Sequence, residues 1–143
     1  MKLVLCGGID NAKKLFSKDK LYPAKLLLID SDRPVPSNVK GDHYMVQAME
    51  SWFLADWEKL AEYFDYQGDS PAENKNIEAI ENTRVMEILN NLAKPRGKGR
   101  DNYHKIDDAT RLLQRVRLVR VRKLHHCDRF CVAVEAAIAG AST

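Results

Sequence analysis

The sequence predicts an α/β fold, a small, mostly parallel sheet flanked by helices, with a helical C-terminal half. Two short apolar runs, Leu3 to Cys6 and Lys25 to Asp30, bracket a segment of helical period. A strand, helix, strand order of this kind normally closes with parallel strands and a right-handed crossover. The second run, Leu26-Leu27-Leu28-Ile29, stops abruptly at Asp30-Ser31-Asp32, as a buried parallel strand does when it delivers acids to a sheet edge. Beyond residue 77 the apolar positions recur at helical spacing instead.

The 143 residues suit one domain over 1–143, with an acidic sheet part at about 1–66 and a basic, mostly helical part at about 76–140. An apolar share of 45% and a charged share of 30% are ordinary for a soluble protein. The apolar runs fall far short of the roughly 18 residues that span a bilayer, and the start is too short for a signal peptide. The expected compartment is therefore the cytoplasm, with no membrane partner. Cys6, Cys127 and Cys131 make an odd count without a paired CxxC framework. Cys127 and Cys131 lie one helical turn apart on an apolar stripe, which suits packing. The contiguous His125, His126 and Cys127 cannot all point at one ion from a helix, so zinc is not expected there.

The net charge of +3 hides an asymmetry. Residues 1–93 carry 11 Lys/Arg against 15 Asp/Glu, whereas residues 94–129 carry 12 against 4. A local cationic excess of this size is the footprint of a polyanion or, equally, of a solvated helix face.

In chain order, Gly7-Gly8 turns out of the first strand, and Asp10 or Asn11 caps a helix to about Lys18 with Ala12, Leu15 and Phe16 on its buried face. The lone Gly-Gly pair makes neither a GxGxxG motif nor a P-loop. After the strand from Lys25 to Asp30, Arg33 to Asn38 is a loop rich in proline. His43 to Gln47 supplies a third strand and leads into a helix carrying Glu50, Trp52, Phe53 and Leu54, which brings Glu50 to the edge beside Asp30 and Asp32. Asp56 caps a second short helix, Trp57 to Phe64, with Leu60, Tyr63 and Phe64 inward. Asp65 to Asn76 is a loop. Val85, Ile88, Leu89 and Leu92 form the face of a helix that starts near Asn82-Thr83 and ends near Ala93. Lys94 to Arg100 is a basic, glycine-bearing loop. Asp107 or Asp108 then caps a helix with Ala109, Leu112, Leu113 and Val116 inward, and Arg115 to Lys123 is an irregular helix end or a strand. Cys127, Phe130, Cys131, Val134 and Ile138 repeat at the helical period, and Ala136 to Ala141 is expected to fray.

Alternation along a strand puts Asp30 and Asp32 on one side, roughly 6–7 Å apart at Cα, close enough to share a hard cation such as Mg²⁺ or Mn²⁺. The same residues also suit an ordinary turn. In the basic third, Lys98 and Arg100 are candidate phosphate contacts, and Tyr103 and His104 add an aromatic face and further donors. An aspartyl-phosphate reading of Asp30-Ser31-Asp32 is disfavoured, because Arg33 and Pro34 follow with no small hydroxyl residue to hold the phosphate.

Several stretches together resemble the family called domain of unknown function 4276. These are Cys6-Gly7-Gly8 with Phe16, the Leu-Ile-Asp-Ser-Asp of 28–32, Met45-Val46-Gln47, and above all Glu50-Ser51-Trp52-Phe53-Leu54-Ala55-Asp56. Asn76 to Ile80, Tyr103-His104-Lys105-Ile106 with Leu112-Leu113, and Cys127-Asp128-Arg129-Phe130 extend the resemblance over about residues 2 to 134. That family is similar to the TOPRIM-like proteins, in which acids at strand ends hold Mg²⁺ for phosphodiester chemistry. Its members are found beside ATPases in defence against foreign DNA. The resemblance implies metal ligation by Asp30, Asp32 and Glu50, with Lys105 as the lysine of a Tyr-x-Lys element. TOPRIM-like domains begin with a strand ending in glutamate, whereas the first glutamate here is Glu50. Either this chain is a shortened member that has lost one acid, or Glu50 serves in its place.

Two functions are therefore expected. The first is a Mg²⁺-dependent nuclease or phosphodiester-transfer domain, with Asp30, Asp32, Glu50 and Lys105 catalytic and Lys98, Arg100, Tyr103 and His104 on nucleic acid. The second is a non-catalytic nucleic-acid-binding or regulatory subunit that partners an ATPase or another chain.

Overall fold

A computed structural model describes residues 8–21, 24–36, 38, 41–73, 75–94 and 102–141. Its elements are α1 (Ile9–Lys18), β1 (Leu28–Asp30), β2 (His43–Met45), α2 (Ser51–Ala55), α3 (Trp57–Phe64), a 3-10 turn (Ile77–Ala79), α4 (Asn82–Ala93), α5 (Asp107–Leu113), α6 (Leu118–Val121) and α7 (His125–Ala141). β1 and β2 pair in parallel, with Leu28 opposite His43 and Asp30 opposite Met45. The chain is thus α/β, with a small parallel sheet and a helical C-terminal half. The strand expected at Leu3 to Cys6 and the loop carrying Lys98 and Arg100 lie outside the described residues.

Both strands are shorter than their apolar runs. β2 ends at Met45 rather than Gln47 because Gln47 adopts a left-handed backbone, φ 66°, which leaves the ladder. β1 is paired only over the three residues that β2 offers.

The first helix departs from expectation in two ways. Its N-cap is Gly8 at φ 110°, a conformation readily open only to glycine, so neither Asp10 nor Asn11 is the cap. None of its residues is buried, and Leu15 is 49% exposed. Lys25 closes the far end instead: its ammonium lies 4.8 Å from the Phe16 ring centroid and donates to the carbonyls of Phe16 and Asp19. A cation over a ring and two capped carbonyls do the work expected of an apolar face.

The core lies between α2, α3, α4 and α5, where Phe53, Leu60, Val85, Leu89 and Leu112 are fully buried. Leu60, Tyr63 and Phe64 face inward as their spacing requires. Leu113 does not, because α5 turns Ala109 and Leu112 to the core and leaves the next position 42% exposed. Asp107 and Asp108 lie inside α5, whose N-cap position is Ile106. The Arg115 to Lys123 stretch resolves into a turn and the short α6. α7 packs on β2, with the Phe130 ring edge-on to His43 at 5.4 Å. It continues through Ala141 where fraying was expected, as alanine, the strongest helix former, allows. No described helix is long and apolar enough to cross a membrane.

Cys127 is 1% exposed, and burial, with Cys131 nearby, pushes its thiol up to about 12. Since the thiolate is the reactive species, iodoacetamide near neutral pH is expected to label Cys131 in the folded chain and Cys127 only after denaturant is added. Peptide mass mapping would read this, and early labelling of Cys127 would contradict its placement in the core.

Candidate functional site

The C-terminal ends of β1 and β2 bring four segments together. Asp30 closes β1, and its Oδ1 accepts a hydrogen bond from the Met49 amide at 2.8 Å. That bond pins the turn leading into α2, and with it Glu50, the residue just before that helix. Ser31 ties the two strand ends: its Oγ accepts from the Gln47 amide at 3.0 Å and donates to the Arg33 carbonyl at 2.6 Å. On either side of this tie Asp32 (φ 50°) and Gln47 (φ 66°) are held left-handed. A non-glycine residue in that region costs roughly 1–3 kcal/mol and persists where its surroundings over-determine it.

Glu50 is the most enclosed of the acids, only 2% exposed. The Tyr103 hydroxyl donates towards its Oε1 at 3.5 Å, and Lys105 Nζ stands 4.0 Å from the same oxygen. Asp32 is exposed, and Asn82 Nδ2, at the start of α4, lies 3.5 Å from its Oδ1. Among the described residues the buried Asn82 Oδ1 has no hydrogen-bond partner, nor has the buried Gln47 Nε2.

The electrostatics of Asp30 follow from this arrangement. Burial is the largest influence on Asp30 and raises its carboxyl above the ordinary value. The Met49 amide opposes this, Glu50 and Asp32 add to it by repulsion, and Lys105 pulls the other way. Asp30 thus feels both other acids and the lysine, although the four residues come from three distant parts of the chain.

Asp30, Asp32, Glu50 and Lys105 lie at this edge, Lys105 4.0 Å from Glu50 and Asp30 within electrostatic reach of the other three. Tyr103 does not present a ring for stacking. It is 7% exposed, its amide is taken by Asn90 Oδ1 at 3.0 Å, and its phenol, pushed upward by burial and by Glu50, stays protonated. His104 is exposed, and its amide donates to Asp108 Oδ2 at 2.7 Å, which starts α5. Lys98 and Arg100 lie outside the described residues. Sequence reasoning missed Ser31, Gln47 and Asn82. Ser31 reads as a turn residue and Asn82 as a cap, and only tertiary structure sets Asn82 against Asp32, 50 residues away.

The donors at this edge are all oxygens, the chemistry of a hard cation. Among the described residues no three acids, histidines or cysteines form a ready-made metal-binding group. A hard cation at this edge would have to keep several waters and take only one or two of these carboxylates, as Mg²⁺ can. No curated protein and no solved structure matches the chain. A family model does match residues 26–135, a span that contains every acid of the strand-end cluster, and on that match the chain belongs to the family described as a domain of unknown function (DUF4276).

Proposed function

We propose that the strand-end cluster is a Mg²⁺- or Mn²⁺-dependent site for cleavage or transfer of a nucleic-acid phosphodiester, in the manner of TOPRIM-like domains. The observation that carries the reading is that Asp30, at the end of a parallel strand pair, is tied by the Met49 amide to the segment bearing Glu50, with Lys105 4.0 Å from Glu50. Ends of parallel strands are where open α/β sheets bind ligands.

In this reading one or two of the carboxylates of Asp30, Asp32 and Glu50 hold the cation, which keeps several waters. When bound, the ion supplies charge neutralisation at the phosphate and a more acidic water. The chain's own residues set the rest. Met49 fixes the Asp30 carboxylate, Tyr103 holds Glu50, and Asn82 steadies Asp32. Lys105, 60% exposed at its side chain, is free to turn from Glu50 to a phosphate oxygen. Residues 94–105, with five Lys/Arg against one Asp, suit the polyanion that such a substrate is. Work beside an ATPase in defence against foreign DNA belongs to the same proposal and rests on the family resemblance alone.

The test is calorimetric titration of Mg²⁺ and Mn²⁺ into the parent and into an Asp30→Asn/Asp32→Asn double variant. Asparagine keeps the acceptor for the Met49 amide, so the fold is expected to survive. Binding is expected in the parent and at least about a hundredfold weaker in the variant, since metal sites lose such factors even when supporting groups alone are changed. Equal binding by both would move the site elsewhere.

A second reading is favoured by the lack of a ready-made three-donor group among the described residues. Here the chain is a non-catalytic nucleic-acid-binding or regulatory subunit. It requires binding that weakens with salt and is indifferent to EDTA, with no cation uptake by the parent.

A further inference from the structure

Away from the acid edge, α6 forms a ridge of unusual chemistry. Residues 111–123 contain six cations and neither an acid nor an aromatic residue. Three of the six are already engaged: Arg117 with Asp56 and Glu58, Arg122 with Asp128 and Glu135, and Arg115 over the Tyr63 ring at 5.3 Å. Arg111, Arg120 and Lys123 are exposed, and none of them pairs with an acid among the described residues. Between and beside these cations stand Leu118, 59% exposed, and Val119, 71% exposed. α6 buries only Val121, so the aliphatic pair gains nothing from the chain's own core.

A cleft opens on each side of the ridge. One, of about 220 Å³, is lined by Trp57, Arg117 and Arg120 among others; the second, of about 290 Å³, by Lys75, Lys123 and His125 among others. Each cleft thus has at its wall a cation of the ridge that pairs with no described acid, beside acids that are already engaged: Asp56 and Glu58 by Arg117, and Glu78 by the amides of His125 and His126.

We propose that this ridge is the docking surface for an acidic, leucine-bearing segment of a partner protein. Its carboxylates would meet Arg120 at one cleft and Lys123 with Lys75 at the other, while its aliphatic side chains cover Leu118 and Val119. Charge complementarity decides the sign of the partner, and the exposed aliphatics decide its class. A nucleic acid would use the cations, but it would leave Leu118 and Val119 facing phosphate or water. The stretch 111–123 itself has no aromatic residue on which to stack a base, and Trp57, at the wall of one cleft, is already edge-on to Tyr66. A protein segment satisfies both halves of the surface, since apolar anchors supply affinity while peripheral charges steer and orient.

The experiment immobilises the full chain and selects binders from a random-peptide display library. The selected peptides are then measured by fluorescence anisotropy, beside single-stranded DNA and RNA oligonucleotides. Three variants are compared with the parent: Leu118→Ser/Val119→Ser, Arg120→Glu/Lys123→Glu, and Asp30→Asn/Asp32→Asn as a control that leaves the ridge intact. The ridge substitutions are at exposed positions, and circular dichroism checks their fold. Selected peptides are expected to combine Asp or Glu with Leu, Ile or Val, and to bind each ridge variant at least about tenfold more weakly than the parent, a loss of about 1.4 kcal/mol. The Asp30→Asn/Asp32→Asn control is expected to bind like the parent, whether or not the cation site exists. The proposal is overturned if no peptide is enriched, if those enriched lack acids, or if they bind the Leu118→Ser/Val119→Ser variant undiminished. Oligonucleotide binding that depends on Arg120 and Lys123 but ignores Leu118 and Val119, with no peptide competing for it, would instead make the ridge a nucleic-acid surface.

Discussion

Leu89→Ala is expected to lower the free energy of unfolding by about 2–5 kcal/mol, the range for removing a fully enclosed aliphatic side chain. Leu89 is 0% exposed on α4, among Phe53, Leu60, Val85 and Leu112 from four helices. A leucine shortened to alanine there loses its transfer energy and leaves a gap that four packed helices can only partly close. The urea midpoint should fall with an unchanged slope, and the melting temperature should drop by on the order of 10 °C. Leu89→Met, which nearly conserves volume, should cost under about 1.5 kcal/mol. Equal losses from both substitutions would mean that the cavity is not the cause. The effect reaches the acid edge, because α4 carries Asn82 at one end and Asn90, which accepts from the Tyr103 amide, near the other.

Asp56→Ala is the second substitution with a large expected cost. The Asp56 side chain is 1% exposed and accepts from the Arg117 backbone amide, from Nε at 2.9 Å and from Nη2 at 2.6 Å. Burial by itself would raise this carboxyl, but the bonds from Arg117 outweigh it and hold it below the usual carboxylate value. Removing one member of a buried pair costs roughly 3–5 kcal/mol. The expectation here is the low end, about 3 kcal/mol, because the Arg117 side chain is 35% exposed and water can still solvate it. The sign of the pH dependence follows from the depressed value. The stabilisation is present above the unfolded carboxylate's pKa of about 4 and is lost as the pH falls through the lower folded value. Urea unfolding of the parent should therefore weaken below about pH 4 more steeply than that of the Asp56→Asn variant. Parallel curves would remove Asp56 from the acid response.

How much of this was legible in the chain depends on how local each cause is. Asp30 could be set at a strand end because an apolar run stops there, and Glu50 could be set beside it because a strand and a helix leave little room between them. Leu60, Tyr63, Phe64, Val85, Leu89 and Leu92 showed their inward faces through spacing alone. The pairing of Asp56 with Arg117 spans 61 residues and carries no periodic signal. The spacing therefore puts Asp56 in the right place, before α3, and misses the partner that uses its carboxylate. Tyr103 misled for a related reason. Among cations it reads as a stacking residue, yet its amide meets Asn90 and its phenol meets Glu50, so the ring turns inward. At α1 the cap fell to Gly8 because a backbone torsion decided it rather than a side-chain oxygen.

The sheet consists, among the described residues, of only three residues on each strand. Two strands of that length do not hold themselves together in water. β2 is clamped by α7, through Phe130 on His43 and through Arg129, whose guanidinium donates to the carbonyls of Gly41 and Asp42. The acid edge therefore inherits its order from a helix that contributes none of its carboxylates. Thermodynamic linkage makes that dependence mutual. If firmer seating of α7 favours the ordered strand end, then any ligand that favours that same strand end must by linkage favour the seating of α7 by the same free energy.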